Sequence, residues 1–381
     1  MYYLKLFENH NNYEDFVDGG TMEKPNVSHC VQENEVHYNS RTWADEYLTI
    51  ESLEDNNTIY LKASSRTFTR TISASTDNGE TWTGYTSSTG GSGITLATLN
   101  KGDRLLIKGE NSTYGTSSNY NRFNSTGQFE VKGNIMSLVS GDSFANADEI
   151  TGTYTFNKLF YQRTGLTSTE NLILPATALT LSCYNSMFYG CTSLTVAPEL
   201  PATTLASQCY NNMFYGCTSL TVAPELPATT LATGCYGGMF HGCTSLTSAP
   251  SVLPATTLAE SCYEEMFNGC TSLTTAPELP ATTLADNCYF HMFYGCTSLT
   301  KAPELPATTL ADYCYLEMFY DCTNLNYIKA MFTTTPSTTY TANWAYGVAS
   351  SGTFVKNAAA QWDVTGVNGI PTGWTVETAT A

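Results

Sequence analysis

The chain has 381 residues, with 16 Lys and Arg against 34 Asp and Glu and a formal net charge of -18. That length suggests two or three domains with ample core, and so acidic a surface repels phosphate backbones, which excludes nucleic-acid binding. The opening MYYLKLFENHNNYEDFVDGG has neither a basic leader nor an apolar stretch, and no later run is long enough for a bilayer, so neither a secretion signal nor membrane insertion is expected.

Residues 1–45 read as a polar lead whose most ordered-looking part is PNVSHCVQENEVHYN. His29, Cys30 and His37 lie close together there, but with no third ligand or oriented base their role reads as structural. The Asn26-Val27-Ser28 sequon matters only in a eukaryotic secretory pathway.

Residues 46–140 alternate apolar and polar positions in LTIESL, TIYLKA, TFTRTISAS, GITLATL, DRLLIKG and GQFEVKG, separated by Asn, Gly and Asp turns. This spacing predicts a small β-sandwich of about six strands. Within it Ser75, Asp77, Gly79, Thr81 and Trp82 fit the SxDxGxTW pattern of an Asp-box, a hairpin turn in which Asp and Ser bond the loop backbone. Sialidase-like enzymes carry several such turns and an arginine cluster; one turn without the cluster predicts a structural role.

Residues 141–173 form a junction with a degraded repeat, in which Leu159-Phe160-Tyr161 stands for a later Met-Phe-Tyr and Arg163 replaces a cysteine. A polar substitution of that kind marks a cap, whose outer face meets water or another domain. From 174 to 330 the chain repeats LPATTLAxxCYxxMFxGCTSLTxAPE six times, with a period of 26 residues and one extra residue in the third unit. A fixed period of this length means a solenoid, each unit burying its apolar face on its neighbours.

Within a unit, Leu205, Cys209, Tyr210, Met213, Phe214 and Cys217 recur at helical spacing, which predicts a short helix with an apolar face. Thr257 with Glu260, and in acidic form Thr283 with Asp286 and Thr309 with Asp312, read as capping boxes. Gly190, Gly216, Gly242, Gly269 and Gly295 read as left-handed helix ends, with Asp321 breaking the series. The SLTxAPEL segment reads as the extended part, Leu220 inward and Pro224 limiting ladder bonds.

Twelve of the 13 cysteines lie in the repeats, as pairs such as Cys183 and Cys191. Eight residues of helix separate a pair by roughly 12 Å, beyond disulfide reach, and the repeat offers no zinc knuckle. Buried reduced thiols, or disulfides between equivalent cysteines of adjacent units, are the two readings left. Residues 331–381 read as a C-terminal cap in which Gly369, Pro371, Trp374 and Val376 cover the last open edge.

The MFYGCTSLT core resembles the FxGCxSLT of BspA-like, or TpLRR, leucine-rich repeats, with Ala-Pro-Glu as a departure in the strand. The resemblance implies an α+β repeat protein, a right-handed leucine-rich-repeat solenoid behind the sandwich. Family members are mostly surface or virion proteins that adhere to proteins or glycans. The lead and the GTFVKN to NGIPTGWTV tail look like segments flanking such repeats in proteins of gut bacteria and their phages.

Positions that vary between copies are where recognition can be written. One column is Tyr189, Tyr215, His241, Asn268, Tyr294 and Tyr320, suited to sugar stacking or protein contact, or equally to drift on a solvated convex face. A second, on the strand side, is Val196, Val222, Ser248, Thr275 and Lys301. Beside it runs a carboxylate row, Glu199, Glu225, Glu278 and Glu304, interrupted at Ser251-Val252. Strands about 4.8 Å apart would make these charges repel by roughly 1 kcal/mol even in water, relieved by fanning out; no cofactor or metal is expected, with Ca2+ bound along this row as the alternative.

There is no nucleophile elbow, phosphate loop or HExxH, and the five His residues occupy unrelated registers. The expected function is therefore a non-enzymatic adhesion protein, a phage tail fibre or tail-associated receptor-binding protein. It would fold in host cytoplasm, attach to the virion through the lead as a homo-oligomer, and bind a bacterial surface glycan or protein through the solenoid. A bacterial cell-surface adhesin is the alternative, and a glycan-processing enzyme a distant third.

Overall fold

The computed structural model describes residues 43–379, which belong to one compact unit. His29, Cys30, His37 and the Asn26 sequon lie outside the described residues.

Eight strands come first: β1 (Leu48–Ser52), β2 (Asn57–Ala63), β3 (Thr71–Ser75), β4 (Thr83–Thr86), β5 (Ile94–Leu99), β6 (Arg104–Gly109), β7 (Asn121–Ser125) and β8 (Phe129–Asn134). Six match the alternating segments. The other two were hidden for different reasons: β4 is almost wholly exposed, so nothing selects apolar residues, and β7, NRFNS, buries Phe123 beside a polar Asn121. One sheet runs β8-β1-β6-β3-β4 and a second runs β5-β2-β7. The turn between β3 and β4 is the Asp-box: Gly79 N donates to Ser75 Oγ (2.9 Å), Thr81 N to Asp77 Oδ1 (2.9 Å) and Trp82 Nε1 to Gly79 O (3.0 Å). Hydrogen bonds from Ser75 and then Thr81 hold the Asp77 carboxyl down to about 2.

The sheet passes directly into the repeats. Strands β9 (Leu166–Ser168) and β10 (Leu172–Ile173) add in parallel to β8, and Ser168 then bridges Val196 of the first full unit. Phe123 of β7 stacks on Phe160, and the Arg163 guanidinium hydrogen-bonds Asn124. The degraded coil thus packs against the sheets of residues 48–134, and Arg163 stands beside the polar Asn124 where later coils bury Cys.

The coil itself differs from the expected helix. Among the described residues the α-helices are two single turns, α1 (Ser137–Ser140) and α2 (Thr338–Thr341), both outside the full repeats. In the first unit the N–H groups of Cys183, Asn185, Met187, Tyr189 and Cys191 reach back three residues (3.1–3.2 Å). Those of Ser182, Tyr184, Ser186, Phe188 and Gly190 instead donate to carbonyls of the next coil (2.7–3.1 Å). The result is a spiral of overlapping four-residue turns stitched sideways. Every second turn has positive φ at its third residue, as type II turns require: Ser182 (52°), Ser186 (54°), Gly190 (68°).

The glycines singled out are left-handed, but they are one of three such positions per coil, and the Thr-Glu boxes have no helix to cap; Thr257 bridges Thr283 instead. A sequence signal existed in the third unit, where Gly234, Gly238 and Gly242 occupy all three positions. The Ala-Pro-Glu departure also has its consequence, since these segments meet through isolated bridges such as Val222–Ser248 rather than full strands.

This geometry reverses the sign of a substitution. Ser261 has φ of 52° and is half-buried. A left-handed non-glycine residue costs about 1–2 kcal/mol, and the extra chain entropy of glycine offsets about 0.5–1 kcal/mol of that. Ser261→Gly is therefore expected to raise the unfolding free energy by about 0.5 kcal/mol or more. In a helix the same change would lower it by about 0.5 kcal/mol, so a urea titration showing a loss would contradict the spiral.

Stacking fills the interior. Phe123, Phe160, Phe188, Phe214, Phe240, Phe267, Phe293 and Phe319 form one file with centroids 5.5–5.8 Å apart. A parallel file runs through Tyr184, Tyr210, Tyr236, Tyr263, Tyr289 and Tyr315 at 5.6–5.9 Å. The twelve repeat cysteines are free and buried, which resolves the two readings in favour of thiols. Cys191, Cys217, Cys243, Cys270, Cys296 and Cys322 each donate to a phenylalanine carbonyl of the preceding coil at 3.0–3.2 Å.

At the far end Trp344 takes the next place in the Phe file and donates Nε1 to Gly369 O (2.8 Å). Strands β11 (Tyr327–Ala330), β12 (Thr353–Lys356) and β13 (Thr375–Thr378) close the stack in parallel. Trp374 is buried as expected, whereas Val376 lies on β13, all of whose residues are exposed.

Candidate functional site

The period places equivalent residues one above the other, so each column becomes a line on the surface. On the turn side, Tyr161, Tyr189, Tyr215 and His241 stack at 5.0, 4.5 and 4.3 Å. After Asn268 the file resumes with Tyr294, Tyr320 and Tyr346 at 4.7 Å per step. Within each run neighbouring rings occupy each other's faces, so the ladder offers mainly edges and hydroxyls outward, with ring faces left only at Asn268 and at the Tyr346 end.

Beside the gap the structure assembles a cluster that single-unit comparison missed. Glu265 accepts from His241 Nδ1 (3.2 Å) and faces His291 Nδ1 (3.7 Å), while His291 Nε2 meets Glu317 (3.0 Å). The two His residues hold different places in their own units, but Glu265 lies on the coil between them and joins both. Hydrogen bonds from His241 and then His291 hold the Glu265 carboxyl down to about 2, from an ordinary 4.5. A depressed carboxylate stabilises the fold above its ordinary value and loses that contribution as pH falls towards the folded one. Stability is thus expected to lose a component between about pH 4.5 and 2 that Glu265→Gln abolishes; because Glu265 is one-third exposed the effect is under about 1 kcal/mol. Identical acid limbs for the two proteins would refute it.

The strand-side column aligns as its register requires, through bridges Ser168–Val196, Val222–Ser248, Ser248–Thr275 and Lys301–Tyr327. It lies along a groove in two parts. The first, about 510 Å³, has Val196 and Val222 (40% and 57% exposed) between Pro198, Pro224 and the carboxylates Glu199 and Glu225. The second, about 960 Å³, is lined by Thr275, Lys301, Tyr327, Glu278, Glu304 and Lys329.

Two of the four carboxylates in the row are compensated from within. Glu225 accepts from Ser251 N (3.1 Å) and Ser251 Oγ (3.1 Å), and Glu304 pairs with Lys329 Nζ (2.9 Å). Among the described residues no group of three or more His, Cys, Asp or Glu is arranged to hold a metal ion. Millimolar Ca2+ is expected to leave the melting temperature unchanged, and an upward shift would assign the row to calcium.

The thiols offer no nucleophile: burial pushes Cys183, Cys191, Cys235 and Cys243 up to about 12, which keeps them protonated.

A profile of the BspA type Leucine rich repeat region matches residues 154–290 and 235–343, in six copies. The solenoid belongs to the BspA-type leucine-rich repeat family. The match starts at Tyr154 and ends at Asn343, both left-handed residues of the spiral, so it takes in the degraded coil before Leu174 and the first coil of the C-terminal cap. BspA-type repeats are typically non-enzymatic binding modules of surface and adhesion proteins. Neither the curated proteins nor the solved structures gave a match. No helix among the described residues of this BspA-type protein is long and apolar enough to cross a membrane.

Proposed function

We propose that this protein is a receptor-binding adhesion protein, a phage tail fibre or tail-associated protein, whose BspA-type solenoid binds a bacterial surface glycan or protein. In this reading the solenoid is right-handed, its six units carried on the two sheets of residues 48–134 as a small sandwich. The lead attaches the protein to the virion as a homo-oligomer. The carrying observation is the strand-side groove, where the positions that vary between copies meet open space: Val222, 57% exposed, is the most exposed large apolar residue among those described. Apolar residues left out of a well-packed stack mark contact surfaces. Twelve free thiols support folding in a reducing compartment before release on a particle.

The test is binding of the fluorescently labelled chain to intact gut bacteria, compared with a Val196→Asp/Val222→Asp variant and with Tyr215→Ala/Tyr294→Ala/Tyr320→Ala. Loss with the first and retention with the second is expected. Loss with the tyrosine variant alone would move the site to the ladder, and unchanged binding by both would remove the solenoid from recognition.

A further inference from the structure

Between residues 174 and 330 the chain holds two cations, Lys301 and Lys329, against eleven Asp and Glu. Both line the same half of the groove. Lys329 neutralises Glu304, but among the described residues Lys301 makes no ion pair; its ammonium lies 5.1 Å from the Tyr327 ring centroid, over the ring. An exposed ammonium left without a carboxylate partner in a chain of net charge -18, beside exposed Glu278 and within a groove, is an unused anion receptor.

Resting on the proposed function, we propose that the second half of the groove is a subsite for a glycan bearing an isolated carboxylate, as in a uronic acid. Lys301 binds the carboxylate, Tyr327 lies beneath it, and Thr275 and Thr300 hydroxyls with the Glu278 carboxylate meet the sugar hydroxyls. An extended peptide is the poorer fit. Peptides add to open strand edges, whereas coils here are already bonded above and below and Pro277, Pro280, Pro303 and Pro306 present no N–H at all. A densely charged polyanion is also a poor fit, because one free ammonium cannot offset repulsion by the acidic surroundings.

Cellobiouronic acid and cellobiose differ in one carboxylate, and titration calorimetry of each against the full chain tests the assignment. The acid is expected to bind at least tenfold more tightly than cellobiose, and to lose that advantage in Lys301→Ala and at high salt. Lys301→Arg should retain most of it, with unchanged melting temperatures in both variants. Equal binding of the two sugars, or unchanged binding by Lys301→Ala, would overturn the subsite. So would preferential binding of a hexaglutamate peptide over the acid, which would make the occupant a protein. Whole-cell binding that survives Lys301→Ala but not Val196→Asp/Val222→Asp sinks the subsite and leaves the proposed function standing.

Discussion

Phe240→Ala is expected to lower the unfolding free energy by about 3–5 kcal/mol, among the largest single-residue effects available in this chain. Phe240 is fully buried in the middle of its file, 5.6 Å from both Phe214 and Phe267. Its removal opens a cavity that neighbours cannot fill, because each is held in register by a hydrogen bond to the next coil: Phe214 N to Met239 O and Phe267 N to Met292 O, both 2.9 Å. Stability of a stacked repeat is a sum of unit and nearest-neighbour terms, so weakening the central interfaces also uncouples the two ends. Urea unfolding followed by tyrosine and tryptophan fluorescence should show an earlier midpoint and a second transition, the Trp344 end separating from the Trp82 end. A single transition shifted by less than 1 kcal/mol would mean that the file is not a continuous core.

Gly133→Ala is the second large effect, expected to cost about 3 kcal/mol or more because it combines backbone overlap with left-handed strain. Gly133 has φ of 78°, and a Cβ there would lie 2.1 Å from the carbonyl oxygen of Tyr47, a backbone atom that cannot swing away. The position is also the joint, where β8 pairs Gly133 with Leu172 of β10 and hands the sheet over to the first coil. Loss there should uncap the solenoid as well as weaken the sheet. Limited proteolysis is expected to cut the variant near 133–173 while the parent resists, and equal resistance with an equal melting temperature would count against the joint.

The six alternating strands and the Asp-box were legible because each is a local pattern whose cause is local: a half-buried pleat, or a carboxylate bonding its own loop. The turn spiral was not. Cys-Tyr-x-x-Met-Phe has helical spacing, yet the donors that a helix would turn inward are spent on the next coil, and only the Gly234, Gly238, Gly242 series hinted at it. The same limit applies to the candidate site. That Val196, Val222, Ser248, Thr275 and Lys301 keep one register follows from the period alone. That the tyrosines spend their faces on each other, that Glu265 joins His241 to His291, and that Lys301 stays unpaired while Lys329 is used all depend on distances between coils.

The 26-residue period thus decides by itself that this is a stacked repeat protein, which residues fill its interior and which positions are free to vary, since burial selects the same side chain in every copy. Only the tertiary structure decides the backbone between those positions and the chemistry of the surface, because both arise from hydrogen bonds and contacts made between copies rather than within one.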